Sequence, residues 1–233
     1  MVNVVISGAS RGLGRALAQE MTARGHKVFG GTRTEIELDD SIERFELNVR
    51  DEGLVDQAID RIGQHGPIDI LINNAGIYQG GSLEDVSQED FKKVLDVNLL
   101  GAWRVTRAAL RHMQAGGAIG MISSLSGLVG LAGDGPYAAS KFALEGMSQS
   151  LAEELADRRI RVLLFEPGAI STGFGSVTLG TQPEEIAAEI ADALIAPKVQ
   201  LHYPVGDQAR EVARKIGLDV RVPGSRLMGK RGE

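Results

Sequence analysis

The sequence predicts an α/β fold in which a doubly wound, parallel sheet of six or seven strands carries helices on both faces. Short runs rich in Val and Ile alternate with segments of helical periodicity along most of the chain, a pattern typical of repeated βαβ units. The runs are apolar at successive positions, as expected of strands that helices cover on both sides. We expect residues 1–233 to form a single domain, with a basic C-terminal tail over about residues 210–233. That tail could be solvated, or it could pack at a subunit interface or over the substrate pocket.

Seven segments have the composition of strands, and the last has the weakest signal. They are Val2 to Ser7, Lys27 to Gly31, Arg44 to Asn48, Ile68 to Asn73, Ala118 to Ser123, Ile160 to Glu166 and Val199 to Pro204. Only about a dozen residues, Thr32 to Glu43, separate the second from the third, which is near the minimum for a parallel connection. We therefore expect a loop or a single turn there.

Two helices are predicted most clearly. From Phe91 to Met113 apolar residues recur at i, i+3 and i+4 spacing and form one buried stripe. Pro136 suits the first turn of the next helix, which continues to residue 157.

The composition argues against several classes of protein. With 25 Lys plus Arg and 31 Asp plus Glu, the net charge is −6, so the chain lacks the basic field that nucleic acid or an anionic membrane attracts. It has no Cys, which excludes disulfides and thiolate chemistry, and its four His show no pair at a ligand spacing, so no metal is expected. No apolar run approaches the ~18 residues of a membrane span. Met1 leads directly into the first strand without a secretion signal, so we expect a cytoplasmic protein.

Glycine is over-represented, with 30 residues among 233, where the usual proportion would give about 16. Three glycines stand just after the first strand, in the run SGASRGLG from Ser7 to Gly14. Glycines at a strand-to-helix turn let backbone amides and the helix N-terminus approach a pyrophosphate. The spacing alone is a weak signal, but its place after the first strand predicts a dinucleotide-binding loop.

Further motifs follow the later strands. The run from Asn73 to Gly76, NNAG, ends the fourth strand, and Ser124 stands just past the fifth. Tyr137 comes 13 residues after Ser124, and Lys141 lies on the same helix face as Tyr137, one turn further on. The run from Pro167 to Thr172, PGAIST, follows the sixth strand. In a parallel sheet all these segments meet at one edge, where ligands bind.

In this order, the motifs resemble those of the short-chain dehydrogenase/reductase family, in its compact single-domain subclass, over about residues 2–172. The resemblance implies a Rossmann fold that binds NAD or NADP, an assembly of two or four copies, and a catalytic set of Asn98, Ser124, Tyr137 and Lys141. The segments 88–114 and 136–157 suit the contact within a dimer. The residues expected at the cofactor are Gly8, Ser10, Arg11, Gly12, Leu13, Gly14, Arg33, Asn48, Val49, Asn74, Ala75, Gly76, Tyr137, Lys141, Pro167, Gly168, Ile170 and Thr172.

The chemistry of this set follows from elementary arguments. Hydride transfer to a carbonyl builds negative charge on its oxygen, so an acid must supply a proton and a donor must hold that oxygen. Tyr137 is the expected acid in reduction and base in oxidation, and Ser124 is the expected donor. Lys141 and the positive charge of an oxidised nicotinamide are expected to lower the pKa of the phenol. The family also uses the Lys on the nicotinamide ribose and the backbone carbonyl of the Asn for a proton-relay water.

Other interpretations stay open at each of these positions. Ser123 could be the functional hydroxyl in place of Ser124, since both stand at the strand end. Asn98 could be purely structural, because a buried amide on an apolar stripe must find partners. Tyr137 could be an ordinary half-buried helix residue beside a solvated Lys141, and the run from Asn73 to Gly76 could be only a strand-end turn.

The end of the second strand favours NADP over NAD. An NAD enzyme normally places an acid there for the ribose hydroxyls, but Thr32 and Arg33 occupy the position. Arg33 and Arg11 could both pair with a 2′-phosphate, although either could be a solvated surface side chain. Asp39 and Asp40 would weaken this preference if the short crossover folded back. Asn48 replaces the Asp that family members usually carry near the adenine, and its amide oxygen can still accept a hydrogen bond.

The expected function is an NADPH-dependent oxidoreductase that reduces a small or medium ketone or aldehyde to an alcohol, or the reverse. The loop after Ser124 offers an apolar wall at Leu128, Val129 and Leu131, to which Tyr78 and Phe174 could add aromatic surface. The segment after Thr172 is short, which indicates an open or shallow pocket. The alternative is an NAD(P)-binding sensor of the same fold without turnover. An epimerase of the extended subclass would need a large C-terminal region for which the chain has no room.

Overall fold

A computed structural model describes residues 1–176, 180–197 and 200–218. Its core is one seven-stranded sheet in the order β3-β2-β1-β4-β5-β6-β7, and every neighbouring pair is parallel. The strands are β1 Asn3–Ser7, β2 Lys27–Thr32, β3 Ile42–Glu46, β4 Ile70–Asn73, β5 Ala118–Ile122, β6 Arg161–Pro167 and β7 His202–Val205. This is the doubly wound Rossmann architecture that the alternating pattern predicted.

Helices cover both faces of the sheet. The helices are α1 Gly12–Ala23, α2 Glu52–Gly63, α3 Gln88–Leu95, α4 Ala102–Ala109, α5 Gly135–Leu155, α6 Pro183–Ile195 and α7 Asp207–Ile216. One face buries α1 and α6, and the other buries α2, α3, α4 and α5, so each face has its own apolar cluster. No helix in the described part of the chain is long and apolar enough to cross a membrane.

The third strand differs from its prediction. It begins at Ile42, two residues earlier than expected, and it leaves Glu43, Arg44 and Glu46 exposed. The expectation of an apolar run covered on both sides is wrong here because β3 lies at one edge of the sheet. The crossover that precedes β3 contains no helix, as its length predicted.

The long helix predicted from Phe91 to Met113 is three helical pieces in sequence. A π-helical segment, Asp96–Gly101, joins α3 to α4 and carries Asn98. A π segment widens a helix locally and is frequent at functional sites. Gly101 closes this segment against Val49, since a Cβ at position 101 would lie 2.7 Å from the Cγ2 of Val49.

The C-terminal prediction is partly wrong. Arg210, Arg214 and Lys215 belong to α7 rather than to a tail, and Arg210 forms an ion pair with Glu189 on α6 at 2.8 Å. Residues 219–233 lie outside the described residues, as does Val199, at which the seventh strand was expected to begin. The observed β7 pairs in parallel with β6.

Candidate active site

Tyr137, Ser124 and Lys141 converge at the carboxyl end of β5. Tyr137 lies in the first turns of α5 and is 9% exposed. The ammonium of Lys141 lies 5.6 Å from the centroid of the Tyr137 ring. Ser124 precedes a short 3-10 turn, Leu125–Gly127. Its hydroxyl accepts a hydrogen bond from the amide of Ser126 at 3.1 Å and lies near enough to the phenol of Tyr137 to lower the pKa of that phenol.

Burial dominates the electrostatics of Tyr137. It raises the pKa of the phenol to about 12, and the nearby Asp134 and Tyr78 act in the same direction. The neighbouring hydroxyl of Ser124 opposes the shift. The protein alone therefore does not give the lowered phenol pKa that we expected from Lys141.

The pKa of Lys141 is also shifted from its ordinary value. Its ammonium donates to the carbonyl oxygen of Ile122 at 2.7 Å, and its side chain is 5% exposed. Burial lowers the pKa of Lys141 to about 8, while the carboxylate of Glu145 opposes that shift. The contribution expected from an oxidised nicotinamide stays a prediction.

Asn98 is buried, and its side-chain amide forms hydrogen bonds within the protein. Its Oδ1 accepts from the amide of Ile77 at 2.8 Å, and its Nδ2 donates to the Ile77 carbonyl at 2.9 Å and to the Ser140 hydroxyl at 3.0 Å. The Ser140 hydroxyl in turn donates to the carbonyl oxygen of Tyr137 at 2.7 Å. The side chain thus ties the loop after β4 to α5, as the structural interpretation of Asn98 expected. The role of its backbone carbonyl stays a prediction.

An aromatic wall stands beside the phenol. The rings of Tyr78 and Phe174 lie 5.3 Å and 6.0 Å from the Tyr137 ring between centroids. The hydroxyl of Tyr78 donates to Asp134 at 2.6 Å, and this bond raises the pKa of Tyr78 to about 12. In the loop after Ser124, Leu131 is 58% exposed, so this part of the expected wall faces solvent.

The glycine loop after β1 is closely packed. Gly8 has a φ of +72°, and a Cβ there would lie 2.8 Å from the Cα of Ala75. Gly12 has a φ of +54°, and a Cβ there would lie 3.1 Å from the Cβ of Thr172. These two positions need glycine for their backbone conformation and for the approach of neighbouring segments. The loop ends at the N-terminus of α1, a site suited to a pyrophosphate.

The loop that ends β4 locks the glycine loop in place. The side-chain amide of Asn74 donates to the carbonyl oxygens of Ser7 and Gly8 at 3.1 Å and 3.0 Å. The Ser7 hydroxyl accepts from the amides of Asn74 and Ala75 at 3.0 Å and 3.1 Å. Sequence reasoning missed Ser7, although its place at the end of a strand was a usable signal. The residues at this edge fit a dinucleotide, because backbone donors, small residues and a helix N-terminus meet there.

The adenosine side carries several arginines. Arg11 and Arg33 are exposed at the ends of the glycine loop and of β2. Arg44, which sequence reasoning missed, reaches from β3 to the hydroxyl of Thr32 at 3.4 Å. The carboxylate of Asp39 accepts from the amide of Ser41 at 3.0 Å, within its own turn.

Asn48 and the segment after β6 have partners that the sequence did not indicate. The Oδ1 of Asn48 accepts from the amide of Arg50 at 3.2 Å, so this oxygen already has one partner. Gln208, at the start of α7, accepts from the amide of Ala169 at 2.9 Å. Its distance along the chain from that segment gave no signal.

The described residues also contain a buried group of potential ligands behind the phenol. One donor atom each from Glu145, Glu166 and His202 lie within 4.8 Å of one another. The expectation of no metal relied on spacing along the chain, which does not report on residues that α5, β6 and β7 bring together.

Comparisons with known proteins agree on one family. A family model described as short chain dehydrogenase matches residues 2–181. The 3-oxoacyl-(acyl-carrier-protein) reductase FabG of Escherichia coli is 35% identical over 235 aligned positions, covering 96% of each chain. The 3-ketodihydrosphingosine reductase of Bacteroides thetaiotaomicron is 37% identical over 174 residues, covering 73% of this chain but only 65% of the relative. A solved short chain dehydrogenase from Burkholderia cenocepacia in complex with NADP has a TM-score of 0.84 at 26% identity, covering 94% of this chain and 93% of that one.

The chain therefore belongs to the short-chain dehydrogenase/reductase family. It is an oxidoreductase of the class that acts on CH–OH and C=O groups with NAD or NADP.

Proposed function

We propose that this protein is an NADPH-dependent carbonyl reductase that converts a small or medium ketone or aldehyde to the alcohol, or runs the reverse reaction. The convergence of Tyr137, Ser124 and Lys141 beside a glycine loop that fits a dinucleotide carries the proposal. An acid, a second donor and a cation within one partly covered site are what carbonyl reduction requires.

Ser124, Tyr137 and Lys141 have different roles in the proposed reaction. NADPH, when bound, would supply the hydride. Ser124 and Tyr137 hold the carbonyl oxygen by hydrogen bonds, and Tyr137 releases its proton to that oxygen as negative charge develops. The phenol is protonated at neutral pH, as the acid in reduction must be, but burial, which raises its pKa to about 12, makes it a weaker proton donor. Lys141 holds the nicotinamide ribose.

Two observations support NADPH. Arg33 and Arg11 are exposed where a 2′-phosphate would lie, and Arg44 reaches the same end of β2. No carboxylate occupies the position of Thr32. The Burkholderia cenocepacia structure was solved with NADP, which is consistent with this choice.

The aromatic wall and the names of the relatives favour one class of substrate. Tyr78 and Phe174 form one side of the space above Tyr137, which favours a substrate with an apolar portion next to its carbonyl. The Escherichia coli and Bacteroides relatives are named for a 3-oxoacyl and a 3-keto compound. Ketones with an oxo group at carbon 3 therefore belong in the first panel of substrates.

We also propose that the protein is a homodimer or a homotetramer. Trp103 on α4 and Phe142 on α5 are 42% and 47% exposed, an unusual exposure for large apolar side chains that a helix contact between copies would reduce.

The test is oxidation of NADPH in the presence of ketones, aldehydes, quinones and keto sugars. A second reaction with 4-deuterated NADPH follows the label into the alcohol by mass spectrometry. Transfer of one deuterium to the carbonyl carbon would support the proposal. If NADPH binds but neither carbonyls nor the reverse-direction alcohols are turned over, the reductase is refuted and the sensor interpretation takes its place.

A further inference from the structure

Four ionisable side chains are buried together behind the candidate active site. We call Lys141, Glu145, Glu166 and His202 the buried charge cluster. Each is at least nine-tenths buried, with exposures of 5%, 5%, 0% and 6%. Isolated charges in such surroundings are very costly, so each member needs an opposite charge or must lose its own.

The cluster links three elements of the fold. Glu145 follows Lys141 by one turn of α5, Glu166 lies on β6 and His202 on β7. The Nδ1 of His202 lies 2.7 Å from the Oε1 of Glu166 and 3.5 Å from the Oε2 of Glu145. Glu166 therefore holds His202, and His202 also faces Glu145.

Glu145 has a weaker set of hydrogen bonds than its burial demands. Within the described residues neither of its oxygens accepts a hydrogen bond of standard geometry, although the Ser123 hydroxyl is near enough to lower the carboxyl's pKa. A Cβ at Gly127 would lie 3.2 Å from the Oε1 of Glu145, so the glycine keeps the space beside this carboxylate open. The basic side chains that remain to stabilise a charge on Glu145 are Lys141 and His202.

The cluster holds two acids and two bases. With both carboxylates ionised and both bases protonated, the sum is zero. Burial, with repulsion from Glu166, raises the pKa of Glu145 to about 7, and burial lowers that of Lys141 to about 8. Each of these two groups stabilises the charge of the other, because Glu145 raises the pKa of Lys141 and Lys141 lowers that of Glu145.

We propose that Glu145, supported by Glu166 and His202, is a positioning residue that keeps Lys141 protonated at neutral pH. The ammonium then retains its bond to the Ile122 carbonyl at 2.7 Å and its place 5.6 Å from the Tyr137 ring. The consequence for turnover rests on the proposed function, whereas the charge of Lys141 can be tested without it.

Few other groups in the described structure influence the charge of Lys141. On α5 the phenol of Tyr137 faces Lys141, and its own titration lies well above neutral pH. The charged side chain that acts directly on Lys141 is Glu145. Glu166 on β6, His202 on β7 and the non-titrating Ser123 hydroxyl act on Glu145, and the Ile122 carbonyl accepts from the ammonium.

The charge balance favours this assignment over a metal site. A divalent cation among two carboxylates and a neutral His202, beside the protonated Lys141, would leave an excess positive charge in a buried region. It would also replace the contact of 2.7 Å between His202 and Glu166.

The experiment is an NMR titration of protein labelled with ¹³C at the lysine ε-carbon, without cofactor. The Lys141→Arg variant assigns the signal by deleting it. We expect the Lys141 signal of the wild type to report a protonated amine at pH 7. In Glu145→Gln its midpoint should fall by about one pH unit or more, because an attracting charge is lost. Glu154→Gln, an exposed change on the same helix, is the matched control and should leave the midpoint unchanged.

A conservative variant separates charge from shape. Glu145→Asp retains the negative charge and should keep the Lys141 midpoint closer to that of the wild type than Glu145→Gln does. A wild-type Lys141 that is neutral at pH 7 would overturn the proposal even if no Glu145 variant folded. An unchanged midpoint in folded Glu145→Gln would do the same, and so would stoichiometric zinc in the purified wild type that Glu145→Gln lacks.

The effect of Glu145 on turnover can be tested separately from its effect on the charge of Lys141. The alkaline limb of the pH profile for carbonyl reduction should move to lower pH in Glu145→Gln and stay in place in Glu154→Gln. If no carbonyl is reduced at all, the proposed function fails, and the NMR titration still decides the assignment of Glu145.

Discussion

Gly14 provides a sharp test of how the candidate cofactor loop is built. A Cβ at this position would overlap the carbonyl oxygen of Gly8 and the side-chain amide of Asn74. The first is a backbone atom that cannot turn away, and the second is held by bonds of 3.1 Å and 3.0 Å to the carbonyls of Ser7 and Gly8. Gly14→Ala must therefore displace the loop, the side chain or both.

The expected cost can be assembled from these contacts. Overpacking costs about 1–3 kcal/mol, and the loss of one hydrogen bond of Asn74 costs about 1 kcal/mol more. Alanine is a better helix former than glycine by about 1 kcal/mol, which offsets part of the loss at a position within α1. We expect Gly14→Ala to lower the free energy of unfolding by about 1–3 kcal/mol and to weaken NADPH binding.

Gly53→Ala is the matched control for this prediction. Gly53 also lies within a helix, α2, and a Cβ there would meet only Asp51 at an ordinary distance of 3.5 Å. The change should be neutral or stabilise the protein by about 0.5 kcal/mol. Urea denaturation gives both free energies, and fluorescence titration gives the NADPH affinity. If Gly14→Ala were as stable as Gly53→Ala and bound NADPH like the wild type, the close packing of the loop would be refuted.

Three further predictions concern charge and assembly. Arg33→Ala should weaken NADPH binding at least about tenfold but NADH binding little, because a phosphate contact is worth about 1.5–3 kcal/mol. Arg61→Ala, a change at another exposed arginine, is the control. Equal losses of affinity for the two cofactors would contradict the phosphate role of Arg33. The pKa of Glu145 is raised to about 7 from its ordinary 4.5, so its contribution to stability is full below about pH 4.5 and is lost as the pH rises through 7. The free energy of unfolding of the wild type relative to Glu145→Gln should accordingly fall by about 2 kcal/mol between pH 5 and pH 8, and parallel urea curves at both pH values would refute this. Phe142→Asp should yield a smaller species by light scattering if α5 lies at a subunit contact, while Leu54→Asp, on the surface of α2, should not.

The sequence predicted the order of the fold well because its strongest signals are local. Apolar runs placed each of the seven strands within about two residues of its observed start, apart from the last. The error at β3 has a physical cause: an edge strand is half solvated, so its outward residues are polar and blur its boundaries. The π segment around Asn98 was not predictable, because the apolar stripe continues through it with an ordinary helical period.

The candidate site, like the fold, was predictable only where its residues are close together along the chain. Tyr137 and Lys141 are one turn apart on one helix, so their proximity follows from the sequence alone. Glu145, Glu166 and His202 lie on three elements that the fold brings together, and no spacing along the chain predicts their proximity. The raised pKa of the Tyr137 phenol in the protein alone was not predicted either, since burial beside Tyr78 and Phe174 depends on loops whose packing the sequence does not specify.

Tyr137→Phe, compared with the wild type in the same preparation, tests the role of the phenol most directly. We expect NADPH affinity to change less than about threefold while the turnover number falls at least about 100-fold, the contribution of a positioned acid. Tyr203→Phe, which removes a hydroxyl bonded to the amide of Gln200 at 3.0 Å, is the control and should keep its turnover. Near wild-type turnover by Tyr137→Phe would contradict the assignment of the phenol as the acid.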